Sequence, residues 1–72
     1  MKNTYKHSEM VDIVADFFAV HNYPIVTVLD SNDSDYRDTM SKEQFHMFKR
    51  DYRDSEYVTY YKLPSEIVVV LA

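Results

Sequence analysis

Ile25-Val26-Thr27-Val28-Leu29-Asp30-Ser31-Asn32-Asp33-Ser34-Asp35-Tyr36-Arg37-Asp38 changes character halfway, and the fold depends on where that change falls. The first five residues are dense in β-branched side chains and predict a strand. Apolar residues at successive positions would face both sides of a sheet, which predicts a covered or central strand. From Asp30 to Asp35 every side chain can compete for backbone hydrogen bonds, so this part predicts a loop.

Upstream, Ser8 predicts a helix N-cap, with Glu9 and Asp12 in the first turn where the helix dipole favours acids. Met10, Ile13, Val14, Phe17 and Phe18 follow helical spacing and predict a first helix over residues 8–21. Asn22 is the expected left-handed residue at its end, with Pro24 just beyond. Residues 1–7 are polar and predict a frayed end or an edge strand.

Downstream, Ser41-Lys42-Glu43-Gln44 has the pattern of a capping box. Phe45, Phe48 and Tyr52 share a helical face, so a second helix is predicted over residues 41–52, with an earlier start near Asp35 as the alternative. Tyr57-Val58-Thr59-Tyr60-Tyr61 and Ile67-Val68-Val69-Val70-Leu71 predict two more strands, joined by a hairpin loop containing Pro64. On strict alternation Tyr57 and Tyr61 share one face and Tyr60 opposes them. The expected fold is α+β: two helices on a three-stranded sheet in the order α-β-α-β-β, as one domain over residues 1–72.

Composition narrows the function. The chain has 72 residues, 46% of them hydrophobic, which is enough for a small core and argues against disorder. It has no cysteine, so there is neither a disulfide framework nor a thiolate metal site, and a reducing, cytoplasmic setting is expected. The N-terminal residues lack the apolar core of a secretory signal. The run from Ile67 to Ala72 is too short to span a bilayer. Glycine is absent, which excludes the glycine-rich loops that bring backbone amides up to phosphate. A net charge of −4 opposes direct binding to nucleic acid or to an anionic membrane.

The most distinctive pattern is a repeat. Asp35-Tyr36-Arg37-Asp38 recurs sixteen residues later as Asp51-Tyr52-Arg53-Asp54. On one continuous helix that spacing would turn the copies apart by roughly 160°. They share a surface only if the first copy lies outside the helix. The bland reading is chance in a chain rich in these residues. The functional reading is an acidic, tyrosine-bearing surface built from Asp30, Asp33, Asp35, Tyr36, Asp38, Asp51, Tyr52, Asp54 and Glu56. Tyrosine suits such a surface, because it joins a large apolar body to a polar tip.

Other chemistry has weaker support. Asp30, Asn32 and Ser34 alternate as in a calcium loop, but position six is Asp35 rather than glycine and position twelve is Ser41 rather than glutamate. His7, His21 and His46 show no paired metal-ligand spacing. His21 is expected at the end of the first helix, where a cation is favoured. The serines occupy cap and turn positions, and nothing places a histidine beside one as a general base.

The expected function is a non-enzymatic protein-binding module with no cofactor and no catalytic residue. Its partner would be a protein with a basic surface. In the sharper form the carboxylates stand in for phosphates and inhibit a nucleic-acid-binding protein. A structural or regulatory homodimer is the alternative, and a divalent-metal-binding domain is a third reading. Small size without Gly, Trp or Cys gives the look of an accessory protein from a phage or mobile element.

Overall fold

The computed structural model describes residues 4–51 and 54–72. In chain order the elements are β1 (Tyr5–Lys6), α1 (His7–Ala19), β2 (Ile25–Asp30), β3 (Asp33–Met40), α2 (Lys42–His46), β4 (Glu56–Lys62) and β5 (Glu66–Leu71). The five strands form one sheet in the order β1-β4-β5-β2-β3. β2 and β5 run parallel at its centre, and the remaining pairs are antiparallel. This mixed sheet with one main helix and one short helix overturns the expected two helices on a three-stranded sheet.

α1 forms where the apolar spacing predicts it, but starts and stops earlier. The Lys6 amide, not a Ser8 cap, opens it, donating to Glu9 Oε1 at 3.0 Å. Met10, Val14 and Phe17 lie on one face and are buried. At the far end the Phe17 carbonyl accepts from His21 Nδ1–H at 2.8 Å, and the imidazole stacks on the Phe17 ring at 3.9 Å. The left-handed residue is Tyr23, with φ 55°, rather than Asn22. The helix ends at Ala19, so the reversal falls next to Pro24 instead of on the helix terminus.

The largest correction concerns residues 33–40. The loop expected over Asp30–Asp35 gives way from Asp33 to the longest strand, Asp33–Met40, which pairs with β2 from Val26↔Met40 to Leu29↔Arg37. An edge strand has one neighbour, so its own side chains need not be apolar; the ladder to β2 satisfies its inner backbone groups. Only Met40 is fully buried along it. The loop character survives in the tight reversal, where the Asn32 amide donates to Asp30 Oδ1 at 2.8 Å and the Asp35 amide to Asp33 Oδ1 at 3.1 Å.

The second helix is also shorter than its pattern. Ser41 and Gln44 make the predicted capping box, with Gln44 N–H to Ser41 Oγ at 3.1 Å and Ser41 N–H to Gln44 Oε1 at 2.9 Å. The helix closes after His46, as Met47 and Phe48 donate back to the Gln44 and Phe45 carbonyls. Beyond it Arg50 is drawn to carboxylates on the β2–β3 hairpin, and Asp51 takes a positive φ of 62°. That tertiary pull overrides the helical spacing. The predicted position of Tyr52 on the helix lies outside the described residues.

The core fills one side of the sheet. Val26, Val28, Met40, Tyr57, Ile67, Val69 and Leu71 meet Met10, Val14 and Phe17 of α1 and Phe45 of α2. Fully burying each such large side chain contributes about 1.5–3 kcal/mol. A register shift between Tyr57 and Thr59 breaks the alternation of β4. Tyr57 and Tyr60 therefore both face the helices, and Tyr61, paired with Val68, faces away; the expected Tyr57–Tyr61 pairing is wrong because a bulge adds one residue to the period. Among the described residues no helix is long and apolar enough to cross a membrane.

Candidate functional site

The acids of the middle of the chain fall into two groups. The first surrounds Arg50. Its Nε lies 3.1 Å from Asp30 Oδ2 and its Nη2 lies 3.3 Å from Asp33 Oδ2. The guanidinium carbon stands 3.7 Å above the centre of the Tyr36 ring. Partial burial works against the Arg50 charge, but Tyr36 and the two carboxylates together outweigh it and hold the guanidinium above its ordinary range. Tyr36 in turn packs against the core. Asp30 and Asp33 thus act within the molecule, pinning the segment before β4 to the β2–β3 hairpin.

Asp54 and Glu56 stand at the same end of the sheet. With Asp30, Arg50, Leu71 and Ala72 they line a recess of about 220 Å³. Glu56 also accepts from Thr4 Oγ1 at 3.4 Å. Arg50 stacks on Tyr36 of the first tetrapeptide copy and immediately precedes Asp51 of the second. The first copy lies on a strand and Asp51 in a turn, so they are not equivalent units. Tyr52, named above as a binding residue, lies outside the described residues.

The second group lies along β3. Asp35 and Asp38 are exposed, and among the described residues neither is in an ion pair. Asp38 sits opposite Val28 on β2. β3 is the last strand of the sheet, so its outer backbone edge has no strand beside it. Arg37 points elsewhere, lying 3.9 Å from Glu66 on the face away from the helices.

One polar arrangement was invisible in the sequence because its members are far apart in the chain. His7 Nε2 lies 3.2 Å from the His46 carbonyl and His7 Nδ1 lies 2.8 Å from the Tyr57 hydroxyl. A carbonyl only accepts, so Nε2 carries the proton, and Nδ1 accepts from the Tyr57 O–H. Burial holds the Tyr57 phenol well above its ordinary value; Ser55 opposes this and Tyr36 adds to it. Ser55 Oγ is itself buried without a hydrogen bond of good geometry among the described residues. Both nitrogens of His7 are committed to tying α1 to α2 and β4. The neighbouring recess of about 400 Å³ is lined by Lys6, His7, Ser8, Asp54, Ser55 and Glu56.

Among the described residues no group of three or more His, Asp or Glu is arranged to hold a metal ion. In the Asp30–Ser34 segment, Asp30 already serves Arg50 and the Asn32 amide. Comparison with protein-family models, curated proteins and solved structures finds no match, so the phage or mobile-element origin and the inhibitor's role expected from composition have no support.

Proposed function

We propose that this chain is a small acidic protein-binding module that engages a partner of basic surface through the β3 edge. One observation supports the reading above the rest: the longest strand lies at the sheet edge and carries Asp35 and Asp38 exposed and outside any ion pair among the described residues. Spaced carboxylates beside unpaired backbone groups offer charge for steering and hydrogen bonds for register. Asp54 and Glu56 extend the negative surface round the end of the sheet. Asp30, Asp33 and Tyr36 hold that surface in shape rather than contacting the partner. The absence of cysteine supports a cytoplasmic setting.

The test is capture of partners from cell lysate on tagged protein, washed at about 0.1 M and about 1 M salt, where the screening length falls from roughly 10 to 3 Å. A specific partner should be held at low salt and released at high salt. Reversing Asp35 and Asp38 to Lys should abolish its capture with the fold intact, since both side chains are exposed. Equal capture by the D35K/D38K variant would sink the proposal. A captured protein that also binds nucleic acid would extend the reading to competition for a phosphate-binding groove.

A further inference from the structure

The ladder within the sheet fixes which backbone groups of β3 face outward. The Ile25 amide donates to the Ser65 carbonyl at 3.2 Å, and the Ser31 amide to the Leu71 carbonyl at 3.0 Å. The odd-numbered residues of β2 therefore turn their backbone groups toward β5. Successive residues of a strand alternate sides, so Val26 and Val28 turn theirs toward β3. They stand opposite Met40 and Asp38, which makes these the hydrogen-bonded pairs. Arg37 and Thr39 accordingly point their N–H and C=O groups away from the sheet. Among the described residues no strand lies on that side, and no backbone hydrogen bond from a turn or loop reaches either residue. The Asp35 amide, held by Asp33 Oδ1 at 3.1 Å, marks one limit of the open segment, and the Ser41 cap of α2 marks the other.

The charges around this segment have a definite spacing. Asp38 stands opposite buried Val28 and shares the helix-covered side with Tyr36 and Met40. Asp35 and Arg37 lie on the other side. Both acids are exposed and outside any ion pair among the described residues. The two nearby cations are drawn inward. Arg37 leans back across β2 to Glu66 of β5 at 3.9 Å. Arg50 lies over the Tyr36 ring at 3.7 Å while bound to Asp30 and Asp33. The rim thus presents a carboxylate at 35 and another at 38, on opposite sides, with positive charge behind 36 and 37.

We propose that the partner's contact is an extended segment that joins β3 as an antiparallel sixth strand, with two basic residues three positions apart and none between them. The inference rests on the basic-partner reading above and adds the conformation and charge spacing of that partner. In an antiparallel pair Arg37 and Thr39 each exchange both backbone bonds with one partner residue. The residue opposite Asp38 then falls in the closer kind of pair, with Cα atoms about 4.5 Å apart. The residue opposite Asp35 comes three positions away, on the other side. The two residues between meet Tyr36 and Arg37, where Arg50 and Arg37 repel a cation. A spaced pair of cations is therefore favoured over a uniformly basic run. Backbone bonds set the register, and charge selects the segment.

The probe is a short Thr-rich peptide with two arginines three positions apart, titrated at low salt into isotope-labelled protein. Its control has the same composition with the arginines adjacent, so that only one can meet a carboxylate in any register. The spaced peptide should slow amide exchange at Arg37 and Thr39, and bind at least about fivefold more tightly than the control. Thr39→Pro removes an outward N–H that β2 does not use and leaves every charge in place, so it should lose the peptide with the sheet intact. Should that variant fail to fold, a peptide N-methylated where it meets Arg37 and Thr39 removes the same bonds from the other side. No binding by the spaced peptide, equal binding by the control, or binding kept after either backbone change would each overturn strand addition. Asp35→Lys/Asp38→Lys separates the two readings. Binding lost there but kept in Thr39→Pro leaves a basic partner that adds no strand, whereas binding unaffected by charge reversal overturns the basic-partner reading itself.

Discussion

Replacing Thr27 by valine exchanges a buried hydroxyl for a methyl group of nearly the same shape. Thr27 is 0% exposed although it lies on the face no helix covers. Its neighbours in the row are Val68 and Thr39, and the line from Arg37 to Glu66 crosses β2 above it. Its Oγ1 has no hydrogen-bond partner among the described residues. A hydroxyl buried in that state costs about 1–3 kcal/mol, so Thr27→Val should stabilise the fold by about 1–2 kcal/mol. Unfolding entropy of about 2.1 cal/mol/K per residue over 72 residues makes each kcal/mol worth about 7 °C in Tm. The assay is thermal and urea unfolding by circular dichroism, on protein dilute enough to be monomeric. The urea midpoint should rise at constant slope. Thr39→Val, in the same row but exposed, should stay within about 0.5 kcal/mol of wild type. A Thr27→Val protein no more stable than wild type would show that the hydroxyl is satisfied, and the reasoning would fail.

Two further substitutions probe the contacts beneath the acidic end. Tyr57→Phe removes the hydrogen bond to His7 and should cost about 0.5–1.5 kcal/mol at neutral pH. Burial raises the Tyr57 phenol above its ordinary 10.0, so above that pH the unfolded chain loses a proton that the folded chain keeps. Stability is unaffected by this group below about pH 10 and falls by about 1.4 kcal/mol per unit above it. Urea midpoints measured across that range should show the alkaline loss in wild type and a shallower one in Tyr57→Phe; parallel curves would refute the assignment. Arg50→Lys keeps the charge but loses the planar contact with Tyr36 and the simultaneous reach to Asp30 and Asp33. Amide exchange at Asn32 and Asp35 should quicken while the central β5 amides hold their protection. A uniform change across the sheet would show that Arg50 is not the local clamp.

What could be read from the chain divides by the range of the interaction. The first helix, the strands at 25–30, 56–62 and 66–71 and the Ser41–Gln44 cap each rest on neighbours within a few residues, and each is present. β3 is different, because its strand character comes from the β2 backbone across the reversal and its first residues, Asp33 to Asp35, read as loop. The short second helix is set by Arg50 reaching Asp33, seventeen residues away. The tyrosines changed faces because one bulge in β4 reset a period that side-chain identity does not record. At the candidate site the acidic cluster was visible, but its division of labour was not. Asp30 and Asp33 are spent on Arg50, whereas Asp35 and Asp38 face solvent.

That division carries a consequence for how copies of this chain meet. A sheet that ends in a long strand with no neighbour can associate with a second copy through that edge. Edge-to-edge contact between two β3 strands is isologous and closes after two, because the edge left outside is the two-residue β1. The carboxylates of Asp35 and Asp38 sit on the strand where two copies would pair, and like charges placed against each other across paired strands are destabilising. The acids proposed to engage a basic partner at β3 therefore also oppose pairing of that edge with a second copy. A basic partner strand is the one kind of neighbour for which the edge charge turns from barrier to attraction.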